Sequence, residues 1–174
     1  MSDSTDPSGP VTVRLADYSP TEIFGDTPDP FGVEAVGMTW RPKEEHFGVL
    51  WDGRLVAHAG LVELPLTAGG VRMDVAGLGG VAVAPGMRGR GLARRAVAAA
   101  MDDARARGLP FGLLFCRPDR VGLYERLGWH PVTGEVEVEQ PDGPRVMPLR
   151  TMWTALRAGA AWPPGPVRLH SLPM

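Results

Sequence analysis

The chain predicts an α/β (α+β) fold, a mixed and mostly antiparallel twisted sheet with a central parallel βαβ crossover flanked by helices. Three observations carry this. Asp52-Gly53 separates two β-type runs, 46–51 and 54–64, and that dipeptide favours a tight hairpin turn. A β-type run over 71–83 enters a Gly/Arg-rich turn, a helical pattern runs from Leu92 to Arg107, and the apolar run Phe111-Gly-Leu-Leu-Phe-Cys follows. Strand, turn, helix and strand in that order make a right-handed crossover between parallel strands. Short β-type runs at 129–132, 135–139 and 145–152, with a Pro141-Asp-Gly-Pro turn among them, then extend the sheet.

In chain order, residues 1–10 are polar and read as a disordered leader, and 11–174 as one domain. Residues 11–16 alternate apolar and polar, as a first strand should. Pro20, Pro28, Pro30 and Pro42 leave room only for short helical turns in 18–42. Asp26, Asp29 and Glu34 lie in this segment, with Glu44 and Glu45 beyond. Most are expected to be solvated surface charge, and Asp26 and Glu34 are candidates for holding a cationic substrate. Gly77, Gly79 and Gly80 make the 71–83 run unusually glycine-rich, which in a strand marks a bulge or a close backbone approach. In the helix, Leu92, Ala96, Val97, Ala100, Met101 and Ala104 fall on one face. Gly108 is placed to cap its C-terminus, with Pro110 just beyond. A short helix is expected over 120–127, ended by Gly128. The tail from Trp162 is expected to wrap the surface.

With 174 residues, 44% of them hydrophobic and 22% charged, the chain suits a globular domain with a sizeable core. A net charge of −2 disfavours a dedicated nucleic-acid binder, which is usually basic. Cys116 is the single cysteine, so no intrachain disulfide forms, as suits a cytoplasmic setting. No apolar run approaches the ~20 residues of a membrane span, and residues 1–10 lack the apolar segment of a secretory signal. His46, His58, His130 and His170 show no metal-ligand spacing.

The turn at 84–91 carries the chemistry. Gly86, Gly89 and Gly91 permit a tight backbone, and the helix after it presents its first free N–H groups there, where an anion is stabilised. Arg88 and Arg90 add forked donors suited to phosphate oxygens. Two readings of the turn stand at this point: a pyrophosphate cradle, or a glycine-rich surface turn with solvated arginines. No Gly-Lys-Ser/Thr follows, which disfavours an unrelated nucleotide binder.

A second motif decides between them. Arg88-Gly-Arg-Gly-Leu-Ala and, after the next strand, Leu123-Tyr-Glu-Arg-Leu-Gly-Trp together resemble the acyl-coenzyme A signature of the GNAT N-acetyltransferase superfamily. Arg88, Gly91 and Ala93 match its Arg/Gln-x-x-Gly-x-Gly/Ala loop. Tyr124 matches its thiol-side tyrosine and Gly128-Trp129 its Gly-Phe/Trp pair. Within the superfamily, Val56-Ala-His-Ala-Gly-Leu and Gly80-Val-Ala-Val are similar to aminoglycoside 2'-N-acetyltransferases. Leu109-Pro-Phe-Gly and the Trp162-Pro-Pro-Gly tail are similar to nodulation N-acyltransferases. The aminoglycoside enzymes carry a glutamate just before their Gly-Val-Ala-Val, where this chain has Gly79.

The resemblance implies acetyl-CoA as acyl donor, no metal, and direct attack of a primary amine on the thioester. It assigns Val81, Ala82 and Val83 to the pantetheine arm through their backbone, and Arg88, Gly89, Arg90, Gly91, Leu92 and Ala93 to the diphosphate. Tyr124 is the candidate general acid, since a phenol with a pKa of about 10 still holds a proton when a thiol of about 8.5 departs. His58 is a candidate general base able to titrate near neutrality, with Glu63, Asp74 and Asp26 as weaker ones. Cys116 reads as a buried free thiol rather than a nucleophile. The expected acceptor is a small-molecule primary amine, aminoglycoside-like in the first reading. The alternatives are longer-chain acyl transfer to an amino sugar, or a non-catalytic acyl-CoA-binding module. A second copy of the chain is a candidate partner through Trp153, Leu156 and Trp162; nucleic acid and membrane are not expected.

Overall fold

A computed structural model describes residues 9–174; the predicted leader lies, through residue 8, outside the described residues. Ten strands among them form one sheet, with β1 Val11–Leu15, β2 Glu45–Trp51, β3 Arg54–Ala68, β4 Val71–Val83 and β5 Phe111–Cys116 as its first half in sequence. β1 to β4 pair antiparallel in succession. The Asp52-Gly53 hairpin is where the dipeptide places it, with both residues at positive φ (50° and 74°) as a tight turn demands.

β4 leads into α2, Leu92–Ala106, which returns the chain to β5, parallel to β4. The helix buries the six residues that its periodicity selects, Leu92, Ala96, Val97, Ala100, Met101 and Ala104. Four alanines or valines among them let the helix lie close on the sheet. Trp129 and Met101 press on β5 so closely that a β-carbon at Gly112 would sit 2.8 Å from each. The first core joins this helix to the inner halves of β2 to β5; the second lies under the outer half of β3 and the C-terminal strands.

The segment before β2 holds only α1, Thr21–Phe24, and one 3-10 turn at Glu34–Val36, as its prolines require. After β5 comes a 3-10 turn, Pro118–Arg120, running into α3, Val121–Arg126. Short strands follow at β6 His130–Pro131, β7 Val136–Val138, β8 Arg145–Val146 and β9 Arg150–Ala155.

Two expectations are corrected. The run 145–152 is not one strand: Pro148, which has no N–H to give a ladder, falls between β8 and β9, and the two pair with different neighbours. The tail is not a surface wrap. Residues 167–169 form β10, antiparallel to β3 and parallel to β7, with Val167 and Leu169 buried. Three residues are too few to show alternation against their proline-rich surroundings, so no periodicity marks this strand. Trp153 and Trp162, named as a surface for a second copy, stack on each other at 5.9 Å within the chain, and Leu156 is buried in the first core. No helix of the described residues is long and apolar enough to cross a membrane.

Candidate active site

β4 and β5 pair only from Ala76–Gly112 to Leu78–Leu114. Beyond Leu78 the parallel strands part, and the β5-facing edge of residues 79–83 has no strand beside it. The gap opens a cleft of about 650 Å³ between the two strand ends. Gly79 to Val83 line one wall and Phe115 and Cys116 the other; the turn before α2 and helix α3 close the sides.

The parting has a local cause. Against β3, His58 pairs with Ala82 but Gly60 pairs with Gly79, so β4 carries one residue too many at Gly80–Val81. This is a β-bulge, which bends its strand and increases local twist. Gly80 takes φ 61°, a conformation that costs a residue with a β-carbon about 1–2 kcal/mol.

His58 holds the bulge. Its Nδ1 lies 2.7 Å from the Gly80 carbonyl oxygen, so this nitrogen carries the proton and donates. Its Nε2 then accepts from His46 Nδ1 at 2.9 Å. The Tyr18 ring stacks on His58 with centroids 3.4 Å apart, its hydroxyl buried and without a partner among the described residues. Burial, opposed by the Gly80 hydrogen bond and reinforced by His46 and Lys43, pushes His58 down to about 4. His58 is 1% exposed, both ring nitrogens are engaged, and it is not among the residues lining the cleft.

The turn before α2 has the form expected of an anion cradle. Gly86, Gly89 and Gly91 take φ of 84°, 79° and 73°, and their β-positions face open space. Met87 N–H closes the turn onto Ala84, and the first helical bond runs from Arg95 N–H to the Gly91 carbonyl. The N–H groups of residues 88–94 have no backbone acceptor among the described residues, and no side chain caps the helix. They form the kind of unsatisfied row that phosphate oxygens fill. Arg88, Gly89, Gly91, Leu92 and Ala93 line the cleft. Arg90 instead lies over the Trp51 ring, 5.5 Å from its centroid.

Tyr124 on α3 reaches the cleft from the other side, packed edge-on against Trp129. Burial, with the neighbouring Cys116, raises its phenol, so it keeps its proton at neutral pH. Cys116 also lines the cleft, and burial followed by Asp119 pushes its thiol up to about 11. Such a thiol is a poor nucleophile at pH 7.

Asp26 and Glu34 are exposed and do not line the cleft. Their segment offers it Phe24, Pro30, Phe31, Val33 and Trp40 instead. Asp29 is occupied in accepting the Val33 and Glu34 N–H groups, Glu44 pairs with Arg41, and Glu45 pairs with Arg14 and Arg107.

Sequence reasoning missed the cleft's apolar walls and five of its basic residues, Lys43, Arg94, Arg117, Arg120 and Arg126, of which Arg117 pairs with Asp119. Arg94, Arg120 and Arg126 line its mouth with Arg88, and none of the four is paired with a carboxylate among the described residues. Lys43 lines it beside Gly79 and Gly80. Lys43 carries one signal that sequence could have given: among 18 lysines and arginines it is the sole lysine. No group of three or more potential metal ligands occurs among the described residues.

Comparison with known proteins adds the family. The Escherichia coli GNAT family N-acetyltransferase YhbS, solved in complex with CoA, is 19% identical; the match covers 80% of this chain and 72% of that one, with a TM-score of 0.52. A Lactobacillus plantarum protein assigned as an N-acetyltransferase is 18% identical over 86% of this chain and 100% of its own, TM-score 0.54. Both share the fold. A GCN5-related N-acetyltransferase from Kribbella flavida is 31% identical over 49% of this chain, which spans only 22% of that protein, TM-score 0.46. No curated protein matches. A family model described as an acetyltransferase (GNAT) domain matches residues 21–132, more than half of the chain and nearly all of the cleft wall, so the chain belongs to the GNAT acetyltransferase family.

Proposed function

We propose that the cleft binds acetyl-CoA and transfers its acetyl group to the primary amine of a small molecule by direct attack on the thioester. One observation carries this reading: the parted end of β4 and the unsatisfied turn at 88–94 lie in one continuous cleft, with Tyr124 across from them. The diphosphate belongs at the turn, on main-chain N–H groups with Arg88 as charge support. Pantetheine amides run along the free edge at Val81, Ala82 and Val83, as an added strand would. An N–H of this edge at the thioester oxygen stabilises the tetrahedral oxyanion, a contribution of about 2.7–4 kcal/mol when well placed.

Attack by the neutral amine expels the coenzyme A thiolate. Tyr124 gives that thiolate a proton, the attacking nitrogen sheds one to water, and the tyrosinate takes one back from water, so the amine and acetyl-CoA become amide and free thiol with no net proton change. The acceptor enters between Trp40, Phe31 and Phe24, which are aromatic walls without a carboxylate. No Asp or Glu lines the cleft among the described residues, and four arginines and one lysine do so unpaired. That charge pattern disfavours a polycation such as an aminoglycoside and favours an amine of low positive charge with an apolar body. The same walls suit the longer acyl chain of the nodulation-like alternative.

A thiol-release assay with acetyl-CoA tests the reading against aminoglycosides, polyamines, aryl-alkylamines, amino acids and peptide N-termini. Turnover is expected with the apolar amines and least with the polycations. Coenzyme A binding without release on any amine would favour the non-catalytic alternative. Release only with a longer acyl-CoA would favour the second.

A further inference from the structure

Lys43 lies two residues before the start of β2, and its side chain lies against glycines of β3 and β4 at the bulge. A β-carbon at Gly60 would meet its Cγ at 2.5 Å; one at Gly79 would meet Cε at 2.5 Å and Nζ at 3.2 Å; one at Gly80 would lie 3.8 Å from Cε. Three glycines without side chains thus form the groove in which the lysine lies. The amine lies beside Gly79 in the wall of the cleft where β4 has left β5, next to the free edge assigned above to the pantetheine arm and the thioester.

Its chemistry is unusual for this chain. Every other basic side chain of the lysine/arginine class is an arginine, whose guanidinium stays protonated and is no nucleophile. Lys43 has no carboxylate partner among the described residues, since Glu44 and Glu45 are engaged by arginines. His46 and His58, whose own protonation the lysine opposes, stand near it, and the main chain of Met174 lies with it against Gly79. Burial lowers the lysine from its ordinary value, which raises the share of free amine at neutral pH.

We propose that Lys43 is an autoacetylation site, its Nζ accepting the acetyl group of the thioester bound in the protein's own cleft. This rests on the cleft binding acetyl-CoA as argued above. The lone pair of the neutral Nζ forms an N–C bond to the thioester carbonyl, the C–S bond breaks, and the coenzyme A sulfur leaves with the electron pair. Nitrogen loses one proton and sulfur gains one, so acetyl-CoA and the amine become acetyl-lysine and coenzyme A thiol with nothing else consumed. The amide does not pass its acetyl on, and it fills the space beside Gly79. Modification therefore closes the acceptor side when no acceptor is present.

The full chain incubated with acetyl-CoA and followed by intact-mass and peptide-mapping mass spectrometry tests this, with one lysine to map. One acetyl group is expected at Lys43, arriving at least about tenfold faster in the native protein than in the same protein unfolded in urea, because the cleft supplies proximity. Excess coenzyme A is expected to slow it, Tyr124→Phe to slow it, and Lys43→Arg to abolish it. Calorimetry with coenzyme A on the same sample separates the two layers. Coenzyme A heat with no native-state acceleration at Lys43 overturns this inference and leaves the proposed function standing. Absent heat overturns both, and any acetyl-lysine is then solution chemistry. The native-versus-unfolded comparison uses wild-type protein, so it holds even where a variant fails to fold.

Discussion

Tyr124 and His58 were named together as catalytic candidates, and the structure gives them different surroundings. Tyr124 faces the cleft with a phenol that burial keeps protonated. For Tyr124→Phe we expect kcat to fall at least about 10²-fold, the lower end for lost acid–base assistance, with coenzyme A affinity by calorimetry unchanged. An unchanged kcat would remove its role. His58 holds the Gly80 carbonyl, and its other nitrogen already receives the His46 proton. A second proton on that nitrogen would set two N–H groups against each other. The folded-state pKa of about 4 lies below the ordinary 6.5, so the unfolded chain binds the proton more readily. His58 thus supports the fold fully above about pH 6.5, and that support is lost as pH falls toward 4. Urea unfolding should show stability declining from pH 6.5 to 5, before most carboxylates titrate, and the decline should shrink in His58→Gln. Equal slopes in the two proteins would refute this. At this scale Tyr124 was legible because a motif of fixed spacing surrounds it. The exclusion of His58 as a base was not, because which side chain reaches the cleft depends on strand register.

The decisive element is the end of β4. Its glycines at 79 and 80 announced a bulge, and the bulge lies there with the parting from β5 beyond it. Gly80→Ala should destabilise the protein by about 1–2 kcal/mol from backbone strain alone, read as a lower urea midpoint at constant slope. The new β-carbon would also come within 3.3 Å of His58 Cε1, adding to the cost. A midpoint equal to wild type would show that the positive φ is not needed. Long elements were legible: the face of α2 follows from 3.6-residue spacing, and the extent of β4 from an unbroken β-type run. Short ones were not. β10 is three residues held by strands far off in sequence, and β8 and β9 divide at a proline within what reads as one run. Nothing local distinguishes such segments from coil.

At the scale of the molecule, charge is distributed unevenly. The net charge is −2, yet Arg88, Arg94, Arg120 and Arg126 converge on one cleft mouth without carboxylate partners among the described residues. A composition cannot reveal this, because Arg88 and Arg94 come from the turn and start of α2, before β5 in sequence, and Arg120 and Arg126 from the 3-10 turn and α3 after it. The field they make attracts polyanions and weakens with salt. The central claim is that a coenzyme A diphosphate docks on the free amides of the turn before α2 with Arg88 beside it. Calorimetric titration of coenzyme A into wild-type protein and Arg88→Ala at low and high salt tests it most directly. The account predicts one site, weakened about tenfold or more by the substitution, as for loss of a charged hydrogen bond, and weakened further by salt. No heat, or an Arg88→Ala affinity equal to wild type, would contradict it.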